Sequence, residues 1–267
     1  MPRASSTGAT RKRGARMASN PQVGPSLVLA RGNEFVAALP RAVAARLEPY
    51  LESVPLQKKE VLFRAHEPLR AVYFPTSAVI SLVSRLESGE MLEVGLIGRD
   101  GLAGAALFPG MTSMSWDGVV QIAGLAQRIS ADVLRQEMLA SAPLSWAIAR
   151  YAQVLLIRSM QMSLCNMFHP VEQRCMRWLL TIADLVDGDV LPLTHDLIAT
   201  MLGIRRPTVT LVLGSLRRAG LITDERGRIV LRDRTKLEAV CCECYVTMRD
   251  EQRRLMDWAP SDRAVSM

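Results

Sequence analysis

The stretch Thr194–Ile222, THDLIATMLGIRRPTVTLVLGSLRRAGLI, constrains this chain more than any other. Two helices joined by a tight turn need a small residue where the backbones approach and a turn residue free to take positive φ. They also need apolar residues spaced to lock one helix on the other. Ala199, Gly203 and the set Ile198, Leu202, Ile204, Val209 and Val212 meet those needs. Thr194 can cap the first helix through its hydroxyl, Pro207 suits the start of the second, and Gly220 suits the C′ position that ends it. The spacing predicts a helix-turn-helix.

A plain helical hairpin buried in a core shares this apolar spacing, and the outer face separates the two readings. Arg205, Arg206, Thr208, Thr210 and Leu211 cluster at the start of the second helix, with Arg217 and Arg218 at its end. Basic and hydroxyl side chains at a helix start suit phosphate oxygens and base edges. The first five are the expected base contacts. Thr194, Arg217, Arg218, Arg226 and Arg228 are the expected phosphate contacts. The last two belong to a hairpin in which Leu221–Thr223 and Arg228–Leu231 flank Asp224-Glu225-Arg226-Gly227, a wing directly after the recognition helix.

Charge supports this placement. The chain of 267 residues carries a net +7. Residues 1–31 hold six basic side chains and no acid, residues 32–165 are neutral, residues 166–236 carry +3 and residues 237–267 carry −2. A neutral middle beside a basic helix-turn-helix is the asymmetry of a nucleic-acid reader. The first 31 residues have no periodic apolar pattern and read as a disordered basic tail. None of the five cysteines precedes Cys165, so no disulfide framework spans the chain. No apolar segment follows the basic start, which points to a cytoplasmic location.

Ahead of the helix-turn-helix, Phe35, Leu39, Val43, Leu47 and Leu51 recur at helical spacing, a lead-in from Asn33 to Pro55. Short apolar runs follow at Val61–Phe63, Val72–Phe74, Val79–Val83, Leu92–Ile97, Val119–Ile122 and Leu125–Ile129, separated by turn formers, as in an antiparallel sandwich or barrel. Ser130 is placed to cap a helix over Ala131–Ala140. A longer helix runs from Pro143 to about Met167. On it Leu144, Ile148, Tyr151, Leu155 and Met162 step by four and three, with Arg158 a charged break, and the other faces are apolar too. The expectation is one face on the β domain and this seam on an identical helix of a second copy; a monomer holding the helix in its own core is the alternative. Arg150, Gln153, Arg158 and Gln161 argue against a membrane span. A further amphipathic helix is expected over Val171–Leu185.

The fold class is therefore α+β. It comprises an N-terminal antiparallel β-roll (32–142), a long dimerisation helix (143–168), a C-terminal winged helix-turn-helix (169–236) and an extension (237–267). This order resembles the Crp/Fnr superfamily of bacterial transcription regulators. Leu193–Ile222 is similar to that family's DNA-binding signature, and Val61-Leu62-Phe63, Val72-Tyr73-Phe74 and Gly101-Leu102-Ala103-Gly104 look like its sensor strands and glycine turn. The resemblance implies that the roll is a cupin-like sensor, and that the chain forms a homodimer on a two-fold symmetric DNA site that contacts or blocks RNA polymerase. Cyclic-nucleotide-binding members carry a Glu after the glycine turn and an Arg-Ser/Thr pair for the phosphate. Here Ala105 follows the turn and Met111–Asp117 contains no Arg. A buried phosphate needs a cation or free helix N–H groups, so cyclic nucleotide is not expected and the effector is not named. The cysteine cluster of the iron–sulfur members is missing from the N-terminal region, and no cofactor is expected. On the recognition helix Pro207 and Leu211 replace a Glu and a second Arg common in the family, which implies a different operator.

Cys241-Cys242-Glu243-Cys244 invites a metal reading, but a four-coordinate site needs another ligand and no CxxC pair supplies the usual spacing, so no metal is expected. His66, His169 and His195 are scattered, with no nucleophile arrangement, and no enzyme is expected. The alternative function is a ligand-binding or interaction module whose winged helix makes protein contacts.

Overall fold

Asn33 is the first capping residue among those described. It caps α1 (Glu34–Ala38) by accepting from the Val36 N–H at 3.0 Å, while its amide donates to the carbonyls of Pro75 and Gly101 at 2.9 and 2.8 Å. A buried amide so satisfied pins the helical lead-in to the sheets behind it. The computed structural model describes residues 32–104, 111–186, 188–225 and 227–257. The basic tail read from residues 1–31, the Ala105 position and Arg226 lie outside them.

After α2 (Arg41–Leu47) and a 3-10 turn (Glu48–Tyr50) the chain enters β1 (Glu52–Leu56), where the apolar spacing suggests more helix. Strands β2 (Val61–Phe63), β3 (Ala71–Pro75), β4 (Val79–Arg85), β5 (Met91–Ile97), β6 (Asp117–Ile122) and β7 (Gly124–Ser130) follow. They form two antiparallel sheets, β1-β7-β3 and β2-β6-β4-β5. Phe35, Leu47, Phe74, Ile80, Leu102 and Ile129 fill the space enclosed. Helix α3 (Ala131–Ala140) has the expected span, but Ser130 makes no side-chain cap; Ser141 instead caps the next helix, accepting from the Leu144 N–H at 3.4 Å.

That helix, α4 (Ala142–Phe168), carries the residues of the expected dimer seam. Leu144, Ile148 and Tyr151 are at most 1% exposed in the roll's own core. Leu155 packs against the same core and Met162 lines a half-open cavity. Leu144, Ile148 and Tyr151 are thus taken up by the chain's own core, while Leu155 and Met162 stay half-buried. Gly101 shows how tightly the helix is seated, since a Cβ there would collide with the Tyr151 ring. Arg158, the charged break, pairs with Asp100 of the β5–β6 connection at 2.7 Å, and both side chains are nearly buried. The stripe left exposed is a different one: Trp146, Leu156, Met160, Leu164 and Met167.

A second core begins with α5 (Val171–Leu185), whose Trp178, Leu179 and Ile182 are buried. It includes Val79, Leu96 and Ile122 from the sheets, so the roll and the C-terminal elements share it. Strand β8 (Val190–Leu191), α6 (His195–Leu202), α7 (Arg206–Arg218), β9 (Ile222–Glu225) and β10 (Arg228–Leu231) complete the winged unit, with strand order β8-β10-β9. The extension is helical: α8 (Arg234–Val240) contributes Leu237 to this core, and α9 (Cys244–Met256) contributes Tyr245 while packing along α4. Among the described residues, no single helix is long and apolar enough to cross a membrane.

Candidate nucleic-acid interface

The local chemistry of α6 and α7 sets their geometry. The Thr194 hydroxyl accepts from the Leu197 N–H at 3.2 Å to start α6. Gly203 ends it at φ 62°, a left-handed conformation that costs glycine nothing. The chain then turns by 112° into α7, which opens with Pro207 in its first turn. Val209, Val212, Leu213 and Leu216 recur at i, i+3, i+4 and i+7 and bury one face of α7, and Ile198, Ala199 and Leu202 of α6 belong to the same core.

At 100° per residue, the face opposite that stripe centres on Pro207, Leu211, Gly214 and Arg218, with Thr208 and Ser215 beside them. Leu211 is 72% exposed and gives this face an apolar side chain. Motif reasoning from the sequence passes over Gly214 and Ser215. They are the small residues that let another surface approach, and a helical wheel drawn from the buried stripe finds them.

The remaining expected contacts flank this face. Arg205, Arg217 and Arg228 are exposed, and Arg218 donates to the Ser215 hydroxyl at 2.9 Å. Arg206 is exposed but pairs with Asp196 at 3.1 Å. Thr210 is more engaged than expected. Its hydroxyl donates to the Arg206 carbonyl at 3.2 Å and lies 2.9 Å from His195 Nδ1. His195 Nε2 meets the Asp224 carboxylate of β9 at 2.6 Å. One imidazole thus ties α6, α7 and the wing together, rather than facing solvent or phosphate.

Behind the interface, α5 is joined to the roll by a buried polar contact. Glu93 of β5 accepts from Trp178 Nε1 at 2.7 Å and from the Ser81 hydroxyl at 2.8 Å. Burial pushes its carboxyl up to about 7, against the pull of those two bonds and of the Arg177 charge. Arg174 donates to the Leu202 carbonyl at 2.7 Å, holding the C-terminal end of α6. A cavity of about 560 Å³ lies at the same junction, lined by Glu93, Asp100, Arg158, Arg177, Asp184 and Tyr245 among others.

The cysteine tail also departs from expectation. Cys242 and Cys244 do have further metal-ligating neighbours: Cys165 and His169, from the end of α4, converge on them. Reading Cys241–Cys244 as one short segment misses Cys165 and His169, which lie more than seventy residues away in sequence.

Comparison with known proteins agrees with this architecture. Residues 173–240 match the family model of the Crp-like helix-turn-helix domain. No curated protein matches the chain by sequence. The fold is similar to that of FixK2 from Bradyrhizobium japonicum, at 16% identity and a TM-score of 0.60 over 72% of this chain and 98% of that one. It is also similar to CLP, the c-di-GMP responsive global regulator of Xanthomonas campestris, at 19% identity and a TM-score of 0.58 over 72% and 99% of the two chains. A CRP-family transcriptional regulator of Thermus thermophilus aligns at 22% identity and a TM-score of 0.56, over 70% and 95%. Residues 173–240 thus match a Crp-like helix-turn-helix domain, within a chain whose fold is similar to those of these regulators.

Proposed function

We propose that this chain is a sequence-specific DNA-binding regulator of transcription, acting as a homodimer on an inverted-repeat site. The observation that carries the reading is the outward face of α7, where exposed Leu211 and small Gly214 and Ser215 lie between arginines at either end of the helix. Arginines there suit guanine edges and phosphates, and the small residues permit close approach in a major groove. The exposed α4 stripe of Trp146, Leu156, Met160, Leu164 and Met167 supports pairing, because a second copy would bury five large apolar side chains otherwise left in water. Two recognition helices related by such an axis read half-sites about one helical turn apart.

The roll is read as a sensor that takes no cyclic nucleotide. Met111–Asp117 offers no arginine, Met114 is buried in the roll core, Trp116 packs against that core, and Asp117 accepts from the Ala65 N–H at 2.9 Å. Bound at a promoter in the cytoplasm, the dimer would contact or block RNA polymerase. Site selection with purified protein, with and without cyclic AMP, tests the proposal. The expected result is an inverted repeat enriched without nucleotide and differing from the cyclic-AMP receptor consensus, since Pro207 and Leu211 change the readout. Affinity should fall steeply with salt, because phosphate contacts release counterions. Failure to enrich any repeat in either condition would transfer weight to the interaction-module reading.

A further inference from the structure

Cys165 and His169 stand one helical turn apart at the C-terminal end of α4, where His169 is the cap residue. Cys242 lies in the link between α8 and α9 and Cys244 is the first residue of α9, more than seventy residues later in sequence. Their three sulfurs and one ring nitrogen all lie within 4.8 Å of one another. Cys165 Sγ is 3.7 Å from Cys242 Sγ, and Cys244 Sγ is 3.4 Å from His169 Nδ1. A tetrahedral ion with metal–sulfur bonds of about 2.3 Å and a metal–nitrogen bond of about 2.0 Å sets those edges at about 3.8 and 3.5 Å.

We propose that Cys165, His169, Cys242 and Cys244 form a single-ion zinc site that clamps the C-terminal extension to the α4–α5 junction. The outer groups suit it. The ring nitrogen of His169 turned away from the cluster, Nε2, faces the Glu243 carboxylate at 3.3 Å, the partner that orients a ligating imidazole. Gln161 donates to Cys244 Sγ at 3.1 Å. Three thiolates around a divalent cation leave one negative charge, and the guanidinium groups of Arg177 and Arg174 act on Cys165 from α5. Four soft ligands converging in so small a volume suit one ion. A disulfide would use only two of them, and a multi-iron cluster needs its thiolates farther apart.

The placement gives the ion a task. His169 and Pro170 break the chain between the long helix and the DNA-binding unit. A metal held from both α4 and the extension fixes the direction in which α5 leaves. The extension has other anchors: Leu237 and Tyr245 in the second core, and Arg234 bonded to Asp184 and Tyr245. Loss of one thiol therefore removes the ion without unfolding α8 and α9.

The test is metal analysis of full-length protein purified under reducing conditions, followed by cobalt exchange. The proposal expects one zinc per chain and a cobalt form with thiolate-to-metal charge transfer and the intense visible bands of a tetrahedral site. Cys165→Ser and Cys242→Ser should each lower zinc affinity at least 100-fold with far-UV circular dichroism unchanged. Cys241→Ser and Cys175→Ser should keep the metal, and His169→Cys should keep it with an added thiolate band. Reduced, folded wild type that takes up neither zinc nor cobalt overturns the proposal. So does an iron- and sulfide-containing cluster, or equal loss of metal in Cys241→Ser and Cys242→Ser.

Discussion

Replacing Glu93 by glutamine should remove a pH dependence of stability that the structure assigns to one carboxyl. Glu93 is 1% exposed between the roll and α5, and burial raises its pKa from the usual 4.5 to about 7. The unfolded chain keeps the ordinary value. The native state therefore holds an extra proton between these two values, and stability declines as pH rises through that window. The contribution is fully present below about pH 4.5 and gone above the folded value. A difference of about 2.5 units corresponds to about 3–4 kcal/mol at about 1.4 kcal/mol per unit.

Glutamine is neutral at every pH and still offers a carbonyl to Trp178 Nε1. Urea unfolding of both proteins at about pH 5 and pH 8, followed by tryptophan fluorescence, isolates the effect. Relative to the variant, wild type should lose about 2–3 kcal/mol between those two conditions, most of the full amount. A gap between the two proteins that stays constant with pH would refute the reasoning. It would mean that the carboxyl titrates at its ordinary value and that the contact with Trp178 and Ser81 is open to water.

Other substitutions test other parts of the reading. Arg218→Ala should weaken DNA binding and make the logarithmic salt dependence shallower by about 0.9 for the phosphate it neutralises, measured by fluorescence anisotropy; an unchanged slope would remove it from the interface. Met160→Glu should shift the protein to monomer in sedimentation while leaving unfolding midpoints of the isolated chain nearly unaltered. Leu144→Ala should instead cost about 2–5 kcal/mol of stability, since its side chain lies in the chain's own core. His195→Ala should destabilise the winged unit by about 1–2 kcal/mol in thermal unfolding, because it cuts the link from Thr210 to Asp224.

The helix-turn-helix is legible in the sequence because its determinants are local. A cap at Thr194, a left-handed Gly203 and apolar offsets along two short helices leave little for distant contacts to decide. The roll strands are legible for a similar reason, their apolar runs being bounded by turn formers. β1 is not, since Leu51 continues a helical period and four of its five residues are not buried, which hides the alternation of a half-buried strand. The cysteine cluster is invisible for the opposite reason. Its two halves are separated by the whole winged unit, and each half alone is too small to imply a site.

The long helix shows how a charge can settle what periodicity leaves open. A helix apolar on several faces contains more than one heptad stripe, and spacing alone does not say which stripe turns inward. Arg158 does. It falls on the same stripe as Leu144 and Tyr151, so using that stripe for a two-fold seam would set the Arg158 of each copy near its counterpart. Two like charges buried together without acids are strongly unfavourable. Turned inward, the same guanidinium meets Asp100 at 2.7 Å and the Leu96 carbonyl at 3.4 Å, and Gln252 of α9 donates to the same carboxylate at 2.9 Å. The single charge that interrupts the expected dimer seam is the side chain that keys this helix to its own sheet. Arg158→Met should therefore leave a buried Asp100 without its counter-charge and destabilise the fold by about 3–5 kcal/mol. Arg158→Met with Asp100→Asn should recover much of that loss in chemical denaturation. A double variant no more stable than the single one would show that the pair does not hold the helix in place.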